Sequence, residues 1–83
     1  MYNVQFTKKA DKFLNKMSYD DQERIVKKLE RIRIRPEHFL ERLIGEKVYK
    51  LRAGNHRLII DLIKEDLVIL VIEIGHRKNI YKN

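Results

Sequence analysis

At 83 residues the chain has room for one domain around a single modest core, and its 43% hydrophobic content is ordinary for a globular chain and argues against global disorder. It has no cysteine, which excludes disulfides and thiolate metal sites, and its three histidines, His38, His56 and His76, show no metal-ligand spacing, so neither metal nor cofactor is expected. The net charge of +7 favours an anionic partner, though only weakly until its distribution is considered.

The N-terminal "MYNVQFTKKADKF" lacks the apolar core of a signal peptide, and the apolar run at 67–72 is far too short to span a membrane. The expectation is a soluble cytoplasmic protein with no membrane partner. Within the first residues "YNVQF" alternates as a short strand does. Thr7 is placed to cap a helix reaching about Met17, with Ala10, Phe13, Leu14 and Met17 at i, i+3, i+4 and i+7. Ser18 caps a second helix, with Asp20, Asp21 and Glu23 near its positive end. Ile25, Leu29 and Ile32 carry its apolar stripe, which should run to about Ile34 before Pro36 stops it. Two antiparallel helices joined by a tight turn follow from this pattern. The connector "PEHFLERLIGE" should tuck Phe39, Leu40, Leu43 and Ile44 against the core.

From Lys47 the period changes from 3.6 to 2. "VYKLR" puts Tyr49 and Leu51 on one face and Val48, Lys50 and Arg52 on the other. "AGN" makes a hairpin loop in which Gly54 or Asn55 takes positive φ, "HRLIIDLI" is the next strand, and "KED" turns into "LVILVIEI". That last run reads as a central strand covered on both faces, ended by Gly75. The fold class is therefore α+β, β-α-α-β-β-β, with the helices on one face of a small antiparallel sheet. The expected core holds Phe13, Leu14, Ile25, Leu29, Leu58, Ile60, Leu70 and Ile72.

The whole charge excess sits in two short stretches. Residues 47–60 contain Lys47, Lys50, Arg52 and Arg57 and no acid; residues 74–83 contain Arg77, Lys78 and Lys82 and no acid. Elsewhere acids and bases balance. Taken singly, each of these cations is an ordinary solvated side chain, Tyr81 an anchor for the chain's end, and His56, on a face with Leu58 and Ile60, a core histidine. Their acid-free clustering is what points to a phosphate-binding site.

The element order, with "VYKLRAGNHRLIIDL" followed by "VILVIEIGHRKNIY", resembles the RelE branch of the RelE/ParE toxin superfamily over essentially the whole chain, 1–83, as one toxin domain. The resemblance implies a ribosome-dependent mRNA endonuclease acting in the decoding site, an mRNA interferase that inhibits translation. Its partners would be the ribosome, mRNA and a cognate RelB-like antitoxin, acidic and partly disordered when free. It implies catalytic positions at Lys50 and Arg52 on the strand before the hairpin, Arg57 opening the next strand, Arg77 after the last one, and Tyr81 near the end. Lys47, His56, His76, Lys78 and Lys82 stand beside them as RNA-contacting candidates.

Such residue types suit metal-free RNA cleavage. The 2′-OH attacks the adjacent phosphate, which needs a base, cations on the phosphate oxygens and an acid for the leaving oxygen. Arginine favours bidentate phosphate contact, which suits Arg57 and Arg77. The base stays open among Lys50, Tyr81 and His76. Two other readings remain: a ParE-like toxin that inhibits DNA gyrase without enzymatic activity, and a small basic nucleic-acid-binding protein.

Overall fold

The computed structural model describes residues 1–43, 45 and 47–76. Strand β1 (Asn3–Phe6) leads through Thr7 into helix α1 (Lys8–Asn15), and Ser18 opens helix α2 (Tyr19–Arg31). A 3-10 turn at Pro36–His38 and a two-residue strand β2 (Glu41–Arg42) follow. Strands β3 (Tyr49–Ala53), β4 (His56–Ile63) and β5 (Val68–His76) complete a sheet of order β1-β5-β4-β3-β2.

Both helix starts follow their caps. The Thr7 hydroxyl accepts from Ala10 N–H at 3.2 Å and the Ser18 hydroxyl from Asp21 N–H at 3.2 Å. Helix α2 stops at Arg31, three residues before the sequence pattern would end it, for a tertiary reason. The backbone at Arg33 is taken by the chain's start: Tyr2 N–H donates to the Arg33 carbonyl at 2.9 Å, and Arg33 Nε donates to the Tyr2 carbonyl at 2.7 Å.

The sheet is mixed, not purely antiparallel. β3, β4 and β5 form the expected meander, but β1 pairs parallel with β5, from Asn3↔Val68 to Phe6↔Val71. The extra strand β2 pairs Glu41 with Lys50 and Arg42 with Tyr49. Its two residues carry no periodicity, so nothing in their sequence marks a strand. The β3–β4 hairpin closes on Gly54–Asn55, and Gly54 takes the positive φ, +63°.

The helices cover one face of the sheet. Ala10, Leu14, Ile25, Leu29 and Ile32 meet Leu51, Leu58, Ile60, Ile69, Val71 and Ile74 there. Three expected core residues fall elsewhere. Phe13 lies at the rim, 37% exposed, with its ring edge-on to His56 at 6.2 Å. Leu70 and Ile72 are only half-buried because β5 bulges: Ile60 pairs with Val71 and Ile59 with Glu73, leaving Ile72 without a partner. Strict alternation would join 70, 72 and 74 on one face, whereas the bulge joins 69, 71 and 74. Thr7 holds the bulge in place, its hydroxyl donating to the Ile72 carbonyl at 2.7 Å and its N–H to the Val71 carbonyl at 3.0 Å. Gly75 does not end the strand; it pairs with Arg57, and β5 runs to His76. Among the described residues no helix is long and apolar enough to cross a membrane.

Candidate functional site

The face opposite the helices carries the basic side chains. Leu51 and Ala53 are buried under the helices, so Lys50 and Arg52, alternating with them along β3, project to the other side. Arg57 joins them because it sits directly across from Arg52, and cross-strand partners share a face. Like charges directly opposed across two strands are unfavourable, and an anion between them would relieve the repulsion. Lys50, Arg52 and Arg57 together line a cleft of about 330 Å³.

Three further residues that the sequence pattern does not mark also line it: Lys28 from α2, Phe39 after the 3-10 turn, and Glu41 from β2. Glu41 lies 3.5 Å from Lys50, whose side chain is 25% exposed. That carboxylate is brought in by a strand too short to leave a periodic signal, so the acid-free appearance of 47–60 does not survive in space. Lys28 did have a signal. It belongs to the set 24, 28 and 31, one position ahead of the buried ridge 25, 29 and 32. The cleft offers three to four cations on a rigid sheet, suited to holding a phosphate diester from more than one side.

The histidines lie apart from that cleft. His56 and His76 are directly paired across β4 and β5, with ring centroids 5.8 Å apart. His56 packs against Phe13 of α1, which puts the pair at the end of the helix-covered face while Arg57 and Gly75, their sequence neighbours, belong to the opposite one. Lys47 is exposed two residues before β3. Arg77, Lys78, Tyr81 and Lys82 lie outside the described residues, although β5 delivers the chain beside Arg57 at Gly75.

Comparison with known proteins bears on this arrangement. The family model for the ParE toxin of the type II toxin–antitoxin system parDE matches residues 4–81. No sequence among the curated proteins matches. The toxin fold in the crystal structure of the intact E. coli RelBE toxin–antitoxin complex is similar at a TM-score of 0.78 and 31% identity, over 92% of this chain and 96% of that one. The isolated E. coli RelE toxin gives 0.77 at 28% identity, over 92% and 84%. The archaeal RelE–RelB complex from Pyrococcus horikoshii OT3 gives 0.79 at 24% identity, over 94% and 97%, a likeness of fold. With a family model spanning nearly all of its length and RelE structures superposing on its sheet and helices, the chain belongs to the RelE/ParE family of type II toxin–antitoxin toxins.

Proposed function

We propose that this toxin is a single-domain mRNA endonuclease that cuts message on the ribosome, using the cleft on the open face of β3 and β4. The observation that carries the reading is the convergence of Lys50, Arg52 and Arg57 on one wall of that cleft, in a chain 31% identical to a RelE structure. Arg57 and Arg52 hold the scissile phosphate and stabilise the charge that develops on it as the 2′-OH attacks. Arg77 supplies a second arginine from beyond β5, and Tyr81 a hydroxyl near the same phosphate. Because His76 shares the face of His56, Lys50 and Tyr81 are the better placed bases. Lys47, Lys78 and Lys82 steer and hold the RNA backbone, while His56 and His76 would contact RNA only at the sheet's end. No metal takes part in this scheme. The reading includes a RelB-like antitoxin with an acidic segment as the neutralising partner, since the similar RelE structures include complexes with RelB.

One observation favours a second reading. The family model that matches is the ParE one, which would make the protein a non-enzymatic inhibitor of DNA gyrase on the same fold. Purified protein added to a translating extract separates the two. Primer extension should show new 5′ ends within ribosome-bound message; intact message together with inhibited supercoiling by gyrase would replace the nuclease reading with the gyrase one.

A further inference from the structure

Helix α2 carries a second basic surface that the cleft alone does not use. Arg24, Lys28 and Arg31 stand at i, i+4 and i+7 and form one stripe along the helix flank. Arg24 lies against the β3–β4 hairpin, where a Cβ on Gly54 would stand 2.9 Å from its Cδ. Lys28 lines the cleft with Lys50, Arg52 and Arg57, and it also lines a groove of about 460 Å³ that runs along α2 past Arg24 and Arg31. The two depressions therefore meet at Lys28. Nothing regular closes the passage between them, because β2 pairs only with Tyr49 and Lys50 and leaves Leu51, Arg52 and Ala53 without a strand on that side among the described residues.

The charge along this route is available. Neither Lys28 nor Arg31 has a side-chain hydrogen bond or ion pair with another described residue. Arg24 is 3.6 Å from Asp21, with 59% of its side chain exposed, and exposed pairs of this kind are weak and readily exchanged. Two carboxylates, Asp20 and Glu23, do line the α2 groove, toward the helix N-terminus and away from the cleft. A protein partner would find little to bury there, since the cores of protein interfaces are depleted in charge and built on aromatic or aliphatic anchors. A flexible polyanion fits better, and at 1.5 Å rise per residue the stripe spans about 10 Å, room for one or two phosphates.

We propose that Arg24, Lys28 and Arg31 form a second backbone-phosphate subsite, and that an RNA strand leaving the cleft past Arg52 turns round the open edge of β3 onto α2. This rests on reading the cleft as an RNA site and adds to it the path of the flanking strand. Lys28 is the joint between the two subsites. The stripe acts in binding and not in the chemical step, because it lies round the edge of the sheet from Arg57.

The test is the double variant K28Q/R31Q, both positions solvent-accessible and outside the buried ridge, assayed on mRNA-programmed ribosomes at several salt concentrations. Wild-type protein must first bind and cut; if it leaves ribosome-bound message intact, the RNA reading falls and the subsite with it. Given an active wild type, the double variant should need roughly tenfold more ribosomes for half-saturation, and the slope of log affinity against log salt should fall by about two, one per lost phosphate contact. Its cleavage rate at saturation should stay within about twofold of wild type, whereas Arg57→Ala should lower that rate. Wild-type half-saturation and salt slope in the double variant would overturn the proposal. So would unchanged ribosome binding together with weakened antitoxin binding, which would assign the stripe to the protein partner.

Discussion

Thr7 shows how much one side chain can join. Its hydroxyl caps α1, accepting from Ala10 N–H, and donates to the carbonyl of Ile72 at the β5 bulge. Thr7→Val keeps the shape and removes both bonds, so it should cost about 1–3 kcal/mol, a lost cap plus a carbonyl left without its donor, measurable as a lower urea midpoint. Thr7→Ser, which keeps the hydroxyl, should recover most of that. At the proposed site, Arg57→Ala should lower cleavage at saturation by roughly a hundredfold, the usual effect of removing one transition-state donor. Lys50→Met and Tyr81→Phe then divide the candidate bases: the residue whose loss abolishes cleavage while ribosome association persists takes the proton. Equal, small effects of both would move the base elsewhere.

Among the elements, the β4–β5 turn carries backbone strain. Leu67 sits at φ +54°, a left-handed conformation disfavoured for a branched side chain, and 46% of it is exposed. Leu67→Asn should relieve about 1 kcal/mol and raise the melting temperature by about 4–8 °C. No change in Tm would mean that the leucine's remaining contacts offset the strain. The adjoining Lys64 ties this turn to the 3-10 turn through Glu37 at 3.4 Å. A hydrogen bond from its own backbone N–H holds the Glu37 carboxyl below the usual range, with Lys64 and then His38 adding to it. A carboxyl lowered in the folded state contributes stability at neutral pH and loses it as pH falls through the folded value. Glu37→Gln should therefore flatten the decline in urea midpoint on acidification, by a small amount because the group is fully exposed.

For the molecule as a whole, the +7 charge is unevenly spread, and the fold concentrates part of it on the open face of the sheet and around the edge of β3. An acidic antitoxin segment lying over that region should bind more weakly as salt rises, most steeply below about 0.15 M, where screening sets in. A titration giving the same affinity from low to high salt would place the antitoxin on an apolar surface instead. In that case neutralisation would act at a distance from the cleft.

Several features were legible in the chain because they are local. Thr7 and Ser18 mark both helix starts, the shift from period 3.6 to 2 near Lys47 marks the change from helix to sheet, and Gly54 supplies the hairpin's positive φ. Alternation along β3 put Lys50 and Arg52 on one face opposite Leu51, as the structure has them. What depended on distant partners was not legible. The parallel pairing of β1 with β5, the early end of α2 at Arg33, the bulge at Ile72 and the strand at Glu41–Arg42 each arise from a contact between residues far apart in sequence. The bulge matters most for the site, because it moves β5 out of phase and sets His76 beside His56 on the helix side, with Gly75 against Arg57 on the other. Sequence periodicity carries the face of a side chain only as far as the next irregularity. Lys28 and Glu41 entered the cleft by packing and pairing alone, which is why the site gained a second cation source and a carboxylate that the linear order of residues does not bring together.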